Sequence, residues 1–270
     1  MQDIEDVERK NQILDSALAF ASYLVGKYPQ VNENGQVNYS FAGSLATMLF
    51  ARAESIDIID PRKSANSLEN AIQVPIKTRD ILSNFARQIG DVDVATTSGY
   101  ESQFEVSVDE VPENTVSVLQ IVPWSNLVIF DHVEIYGEDR IAKMEVHGKS
   151  ILISEPKQIL AYQVLHALQN FGHKYEKILN DFPLIYNAIK EIYDDNDLIS
   201  SAHNVLTGYQ NRISNLTVSQ PQSNLTRFTN VDELYRKRLE NHPLFDGELR
   251  SFVEKVIEFD SKQERRLFSI

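Results

Sequence analysis

QIGDVDVATT, residues Gln88 to Thr97, sets two carboxylates one residue apart between small apolar side chains. Aspartate is a poor strand former, so Asp91 and Asp93, alternating with Val92 and Val94, need either a solvated face or a chemical role. On a strand, residues i and i+2 point to one face, about 6.5–7 Å apart. Val92 and Val94 then enter the core while the two aspartates project side by side. Paired carboxylates are hard oxygen donors suited to Mg²⁺, which is held by one or two carboxylates plus substrate phosphates. A pair of such ions ~3.5–4 Å apart stabilises both the attacking and the leaving oxygen in phosphoryl or nucleotidyl transfer. Taken alone, the pattern is equally that of a solvated strand edge in an acidic chain.

Outward from this stretch, NYSFAGSLATMLF (residues 38–50) places Gly43-Ser44 directly before a helical run. Glycine permits a tight turn, the exposed N–H groups of a new helix bind phosphate, and the Ser44 hydroxyl adds a donor. Taken alone, this too is an ordinary helix start. Apolar spacing predicts a helix over residues 4–26, and IKTRDILSNFARQI predicts another running through Ile89. KYPQVNENGQVNYS reads as a turn cluster, and residues 59–75, from Ile59 to Pro75, read as polar and irregular. From Asp91 to about Ile153 the chain reads as strands of one sheet: VDVAT, FEVSV, TVSVLQIV, LVIFDHVEIYG, RIAKMEVHG and SILI, with a hairpin turn at Tyr136–Asp139. Beyond Ser154, a candidate N-cap before Pro156, the chain is helical, with a flexible linker expected at residues 214–226. An α+β domain over 1–154 and a helical domain over 155–270 follow from this division.

Composition narrows the function. With 26 Lys and Arg against 39 Asp and Glu, the 270-residue chain carries a formal charge of -13, which opposes bulk binding to duplex nucleic acid. Zero cysteines exclude thiol catalysis and Cys-ligated zinc. An acidic start and the lack of any run near ~20 apolar residues give the expectation of a soluble cytoplasmic protein with no membrane partner. His132 and His147 could meet across the hairpin, but no third zinc ligand accompanies them. Arg236, Lys237 and Arg238 read as a solvated helix face, and Trp124 as a loop or core anchor.

A glycine-serine helix start followed by a strand of the form h-D-h-D-h resembles the nucleotidyltransferase superfamily of the DNA polymerase β type. It is most similar to the AbiEii-like nucleotidyltransferases, toxin components of bacterial abortive-infection and toxin–antitoxin systems. SEPKQILAYQVLHALQNFGHKYEKILNDFPLI, from Ser154, is similar to their tail of a leucine-rich helix followed by Lys-Asp and Asp. The resemblance implies a nucleotidyltransferase-like mixed sheet with flanking helices and a helical C-terminal domain. It implies that Gly43, Ser44 and Lys174 bind the nucleotide, and that Asp91 and Asp93 hold the metal with a third acid, Glu145, for which Glu134 is the rival. The cofactor would be Mg²⁺, or Mn²⁺ in its place, with an NTP as donor. The acceptor hydroxyl would belong to a tRNA end, a protein or a small molecule, and a cognate antitoxin protein is an implied partner. Lys77, Arg79 and Arg87, on the helix expected before Asp91, form the basic patch a tRNA end would need. This chain departs from the pattern in the 46 residues between Ser44 and Asp91, in Gln163 where the family has lysine, and in Tyr175 where it has an acid. Those departures define the alternative, a non-catalytic interaction protein that has kept the fold.

Overall fold

The computed structural model describes residues 2–87, 89, 92–96, 106–112, 115, 118–119, 130–134, 140–146, 148–169, 173–219 and 247–267, with the side chains of 2–4, 108, 130–134, 146, 149, 168–169, 173–176, 209–219 and 260–267 not among them. Its contacts divide the chain into two compact units. The first comprises Met1–Ile135, Asp139–Ile159 and Asn187–Ile192; the second comprises Tyr136–Glu138, Leu160–Tyr186 and Tyr193–Ile270. Six residues late in the chain, Asn187–Ile192, thus belong to the first unit.

The first unit opens with helix α1 (Gln2–Lys27). Ile13, Leu14, Ala17, Leu18, Phe20, Ala21 and Leu24 are its buried positions, at the three- and four-residue spacing that forms one apolar face of a helix. Strand β1 (Tyr39–Phe41) then leads directly into helix α2 (Gly43–Phe50). Next come β2 (Ser55–Ile59), β3 (Leu68–Gln73) and helix α3 (Ile76–Ser83). They are followed by β4 (Val92–Thr96), β5 (Phe130–Glu134), β6 (Ile141–Val146) and β7 (Lys149–Ser154). The strands form one seven-stranded sheet in the order β3-β2-β6-β7-β1-β4-β5. It is mixed: β1 is parallel to β7 and antiparallel to β4, and β4 is parallel to β5.

One face of the sheet is apolar across its five inner strands. Its row Ile58, Ala142, Ile153, Phe41 and Val94 crosses five strands in register, and every member is buried. Helix α2 packs against β4 and β7, and α1 against α2 and β7. On the other face Ile59, Ile141 and Leu152 cluster with Val37 and Ala65. There the side-chain amide of Gln30 completes the ladder of β7, donating to the Leu152 carbonyl at 2.7 Å and accepting from its N–H at 2.6 Å. A buried glutamine is thereby satisfied on both ends.

Several sequence-based expectations are corrected. Residues 68–73, within the stretch read as irregular, form strand β3, which pairs antiparallel with β2; β3 is exposed at nearly every position, so it lacks the alternation that announces a half-buried strand. Helix α3 stops at Ser83 instead of reaching Ile89. The Ser83 hydroxyl donates to the Asp80 carbonyl at 2.7 Å, and the Asn84 amide donates to the Asp80 and Ile81 carbonyls, groups that the next helical turn would otherwise use. Val108–Glu110 is a 3-10 turn rather than strand, held to α1 by Lys27 and by the Tyr23 hydroxyl, both donating to the Glu110 carboxylate. The helix after β7 is α4 (Pro156–Gln169), so Glu155, not Ser154, holds the N-cap position.

The second unit contains most of helix α5 (His173–Ile189), all of α6 (Asp195–Ser219) and all of α7 (Gly247–Leu267). Helix α6 runs through 214–219, where a linker was expected. Ser, Asn and Thr cost only a few tenths of a kcal/mol each in a helix, and propagation from an existing helix is easy. Phe182, Tyr186 and Phe252 join α5 to α7 through ring contacts of 5.5–5.7 Å. Among the described residues no helix is long and apolar enough to cross a membrane. The expected turn at 136–139, His147, Trp124, residues 220–226 and Arg236–Arg238 lie outside the described residues.

Candidate functional site

Two strands lying side by side place the glycine-serine turn against the aspartate strand. β1 and β4 pair antiparallel with Phe41 opposite Val94. The ladder continues one step further, with the Ala42 N–H donating to the Asp93 carbonyl at 2.8 Å. The chain then turns into α2 at Gly43, whose φ of +56° lies in the left-handed region that costs a side chain ~1–2 kcal/mol. A Cβ built on Gly43 would fall 1.8 Å from Asp93 Oδ2 and 2.7 Å from its Cγ. Glycine is therefore required twice over, by its backbone conformation and by the carboxylate lying against its Cα. Val92 and Val94 are fully buried while Asp93 is half-buried, so the valines serve the core as expected.

The turn also gathers hydrogen-bonding groups. Ala42, the N-cap residue of α2, provides no side-chain cap, and the first N–H groups of any helix lack a partner within it. The Thr47 hydroxyl donates back to the Gly43 carbonyl at 2.9 Å, fixing the first turn. Arg87 Nη2 donates to Ser44 Oγ at 2.8 Å, and the guanidinium lies 3.9 Å from the Phe85 ring centre. Because α3 ends at Ser83, Arg87 belongs to the segment after that helix, not to the helix itself.

The other expected residues are distributed as follows. Asp91 lies outside the described residues; Lys174 lies near the start of α5, its side chain undescribed. The structure does not bring Glu145 to Asp93. Strand β6 is separated from β4 by β7 and β1, three strand spacings or ~14 Å, and Glu145 is an exposed residue 3.9 Å from Lys143. Glu134 is on the neighbouring strand, but it is opposite Thr96, three positions beyond the partner of Asp93. That partner is Asp131. In parallel register, residues opposite one another share a face of the sheet, so β5 carries an acid at the position beside Asp93. Sequence reading passed over Asp131 although FDHVE shows the same acid-in-a-strand pattern; which strand adjoins β4 is long-range information that local pattern does not carry. Lys77 is paired with Glu191 at 2.7 Å, and Arg79 lies 3.9 Å from Glu54.

Among the described residues no group of three or more His, Cys, Asp or Glu converges on a metal position. The donor types described at the turn, the Asp93 carboxylate and the Ser44 hydroxyl, nevertheless fit a hard divalent cation. Mg²⁺ takes oxygen ligands and needs only one or two carboxylates where a phosphate supplies the rest.

What the geometry defines is a class of site, a carboxylate strand packed on a glycine-serine helix start at the edge-side half of a mixed sheet. No family model matches the chain, and no curated protein matches it. A matching solved structure is the crystal structure of an antigenic nucleotidyltransferase-like protein from Paracoccidioides brasiliensis, 11% identical over 84% of this chain and 97% of that one, with a TM-score of 0.32. A likeness at that level carries no argument about this chain.

Proposed function

We propose that this protein is a Mg²⁺-dependent nucleotidyltransferase whose donor site lies at the turn from β1 into α2. The observation that supports the reading is the seating of the Asp93 carboxylate against the Cα of Gly43, 1.8 Å from where a Cβ would stand. It puts an acid next to N–H groups suited to phosphate, an arrangement that makes chemical sense when a cation and a polyphosphate share the place.

In this reading Asp93 and Asp131, with Asp91 one residue before β4, hold the metal, and Gly43 and Ser44 bind the β- and γ-phosphates. Bound Mg²⁺ supplies charge neutralisation on the triphosphate and a lowered barrier to departure of pyrophosphate. An acceptor hydroxyl oxygen bonds to the α-phosphorus, and the bond from that phosphorus to the α–β bridging oxygen breaks. Pyrophosphate leaves, and the hydroxyl proton passes to a carboxylate of the site or to water. The acceptor class we infer is a hydroxyl on a tRNA end, a protein or a small molecule, in keeping with the AbiEii-like resemblance, and a cognate antitoxin protein is the corresponding partner. Glu145 has no part in it.

Calorimetric titration of the four NTPs, with and without Mg²⁺, tests the reading on wild type, Asp93→Asn and Asp131→Asn. Metal-dependent binding of at least one NTP by wild type, lost in both variants, is the expected result. Wild type that binds none of the four at millimolar concentration would overturn the reading in favour of a non-catalytic interaction protein.

A further inference from the structure

We infer that strand β3 is an interaction edge, which pairs antiparallel with β3 of a second copy of this chain about a twofold axis at Ile72. The inference does not rest on the nucleotidyltransferase reading, whose site lies on the β1–β4 side of the sheet. β3 ends the strand order, and among the described strands it pairs with β2 alone. It is exposed at nearly every position. Such an edge offers a row of backbone donors and acceptors to another strand.

Which groups point outward follows from the register. Gln73 lies opposite Ser55, and the ladder runs one step further to Val74, whose N–H donates to the Glu54 carbonyl at 2.8 Å. Hydrogen-bonded and non-hydrogen-bonded pairs alternate along an antiparallel ladder. Val74, Ile72 and Asn70 therefore bond to β2, while Ala71 and Gln73 turn their N–H and C=O groups away from it. The first half of the strand is guarded. A register shift falls there, between Ile58 and Ile59 of β2, and Glu69 brings a charge held by Arg140 and Lys63; bulges and charges both discourage edge pairing. The second half, residues 70–73, has no charge and no proline and lies beyond the shift.

The chemistry of this edge suits a second copy. An axis at Ile72 uses only the regular half and sets Ala71 opposite Gln73 on both sides, so the outward groups of each copy meet those of the other. Ile72, half-buried in the single chain, then faces its own counterpart, and no like charges stand opposite. Residues 55–74 and 140–146, which make up this end of the sheet, hold four Lys and Arg and four Asp and Glu. They are neutral in a chain of formal charge -13, so local repulsion does not oppose the approach of two copies here. β5, at the other end of the strand order, instead carries Asp131 and Glu134 within five residues. Of the three large apolar side chains that stand exposed among the described residues, Leu68 at 58% and Ile76 at 68% flank β3. Antiparallel pairing brings the Leu68 end of one strand to the Ile76 end of the other.

Analytical ultracentrifugation of the full chain over a range of concentrations tests the inference. Wild type is expected to double in mass as concentration rises. Ala71→Pro removes an outward N–H and costs β2 no bond, a setting in which a sheet tolerates proline. The variant should keep the circular dichroism of wild type and stay monomeric. Crosslinking reads the register separately, whether or not the proline variant folds. Because the chain has no cysteine, Ile72→Cys introduces a single thiol. Its counterpart stands opposite at the ~4.5 Å Cα separation of a non-hydrogen-bonded pair, within disulfide reach, so mild oxidation should join two copies. Asn70→Cys is more exposed but faces Val74 in this register and should not crosslink. Wild type that remains monomeric throughout overturns the inference, as does a dimer that persists in Ala71→Pro. Asn70→Cys that crosslinks as fully as Ile72→Cys overturns it too, since the contact is then not the one at Ile72.

Discussion

Asp60 and Asp93 belong to the same sheet-bearing unit and are treated in opposite ways. Asp60, just past the end of β2, is buried and held by cations. Arg62 donates Nε to Oδ1 at 2.9 Å and Nη2 to Oδ2 at 3.2 Å, and its backbone N–H also reaches Oδ1 at 3.0 Å. Lys63 and Arg140 lie 3.5 and 3.9 Å from Oδ2, and both also pair with Glu69 on β3, at 3.1 and 2.5 Å. The result ties the β2–β3 hairpin to the start of β6. Asp93 is instead pressed onto a glycine, and the arginine described beside the turn gives its Nη2 to Ser44. A carboxylate gripped by a bidentate arginine is committed to structure. Asp93 lies instead against the start of a helix, where N–H groups lack partners within the helix, and this difference in surroundings sets the candidate site apart from the staple.

The sharpest way to break the comparison is Gly43→Ala. A left-handed φ costs about 1–2 kcal/mol for alanine, and intrusion into packed atoms typically adds about 1–3 kcal/mol. We therefore expect a loss of about 2–5 kcal/mol in denaturant unfolding, the largest effect among these variants, together with loss of nucleotide binding. Asp93→Ala in the same chain removes the clash but not the strained φ. The double variant is then more stable than the sum of the single losses requires, with coupling of about 1 kcal/mol or more. Strict additivity would mean that the carboxylate does not lie on Gly43 in solution.

Asp60→Asn should cost about 1.5–3 kcal/mol, the worth of hydrogen bonds to a charged group, without touching nucleotide binding. Its pH dependence is distinctive. The Arg62 side-chain hydrogen bonds hold the Asp60 carboxyl far below the usual carboxylate range; burial opposes them, while the Arg62 backbone N–H and the Arg140 charge assist. A depressed folded pKa gives stabilisation that is complete above the unfolded value, ~4, and that fades as pH falls through the folded value. Glu69 is lowered likewise, by Arg140 first and Lys63 second. Unfolding free energy measured from pH 7 down to 2 should therefore fall more steeply in wild type than in Asp60→Asn. Parallel curves would show that the staple is not formed.

The same two aspartates show what the sequence disclosed. Asp93 was legible because Val92-Asp93-Val94 alternates on a strand buried on one face, and Gly43 because a glycine-serine pair opens an apolar helix. Asp60 was not, because its meaning depends on a hairpin whose outer strand, Leu68–Gln73, has almost no buried position and so reads as a loop. Register was the larger obstacle. Nothing local to FDHVE says that β5 lies parallel to β4 with Asp131 opposite Asp93, nor that two strands intervene between Glu145 and Asp93. Strand order is settled by which apolar faces the helices can cover together, a property of the whole unit. For the same reason the end of α3 was missed: side-chain bonds from Ser83 and Asn84 stop a helix whose apolar spacing would have allowed it to continue.

A third aspartate, in the helical unit, sets the lower end of the scale. Asp195 Oδ1 accepts from the Tyr186 hydroxyl at 3.0 Å, and Oδ2 lies 3.1 Å from Lys255 Nζ. Unlike Asp60 it is 51% exposed, as its lysine is 47% exposed, so water competes with both contacts. Lys255→Ala should cost less than about 0.5 kcal/mol, and Tyr186→Phe about 1 kcal/mol, since the ring remains stacked on Phe182 and against Phe252. Tyr186 itself reports the contact. Burial first, and then the hydrogen bond to Asp195, push its hydroxyl up to about 12. A raised tyrosine pKa stabilises the fold fully below the unfolded value, ~10, and this contribution is lost as pH rises through about 12. Ultraviolet titration of tyrosinate should therefore show a group, absent in Tyr186→Phe, that is still protonated at pH 11. Asp195→Asn should lower that group's midpoint while leaving nucleotide binding unchanged, because Asp195 belongs to the helical unit and not to the sheet that carries the proposed site.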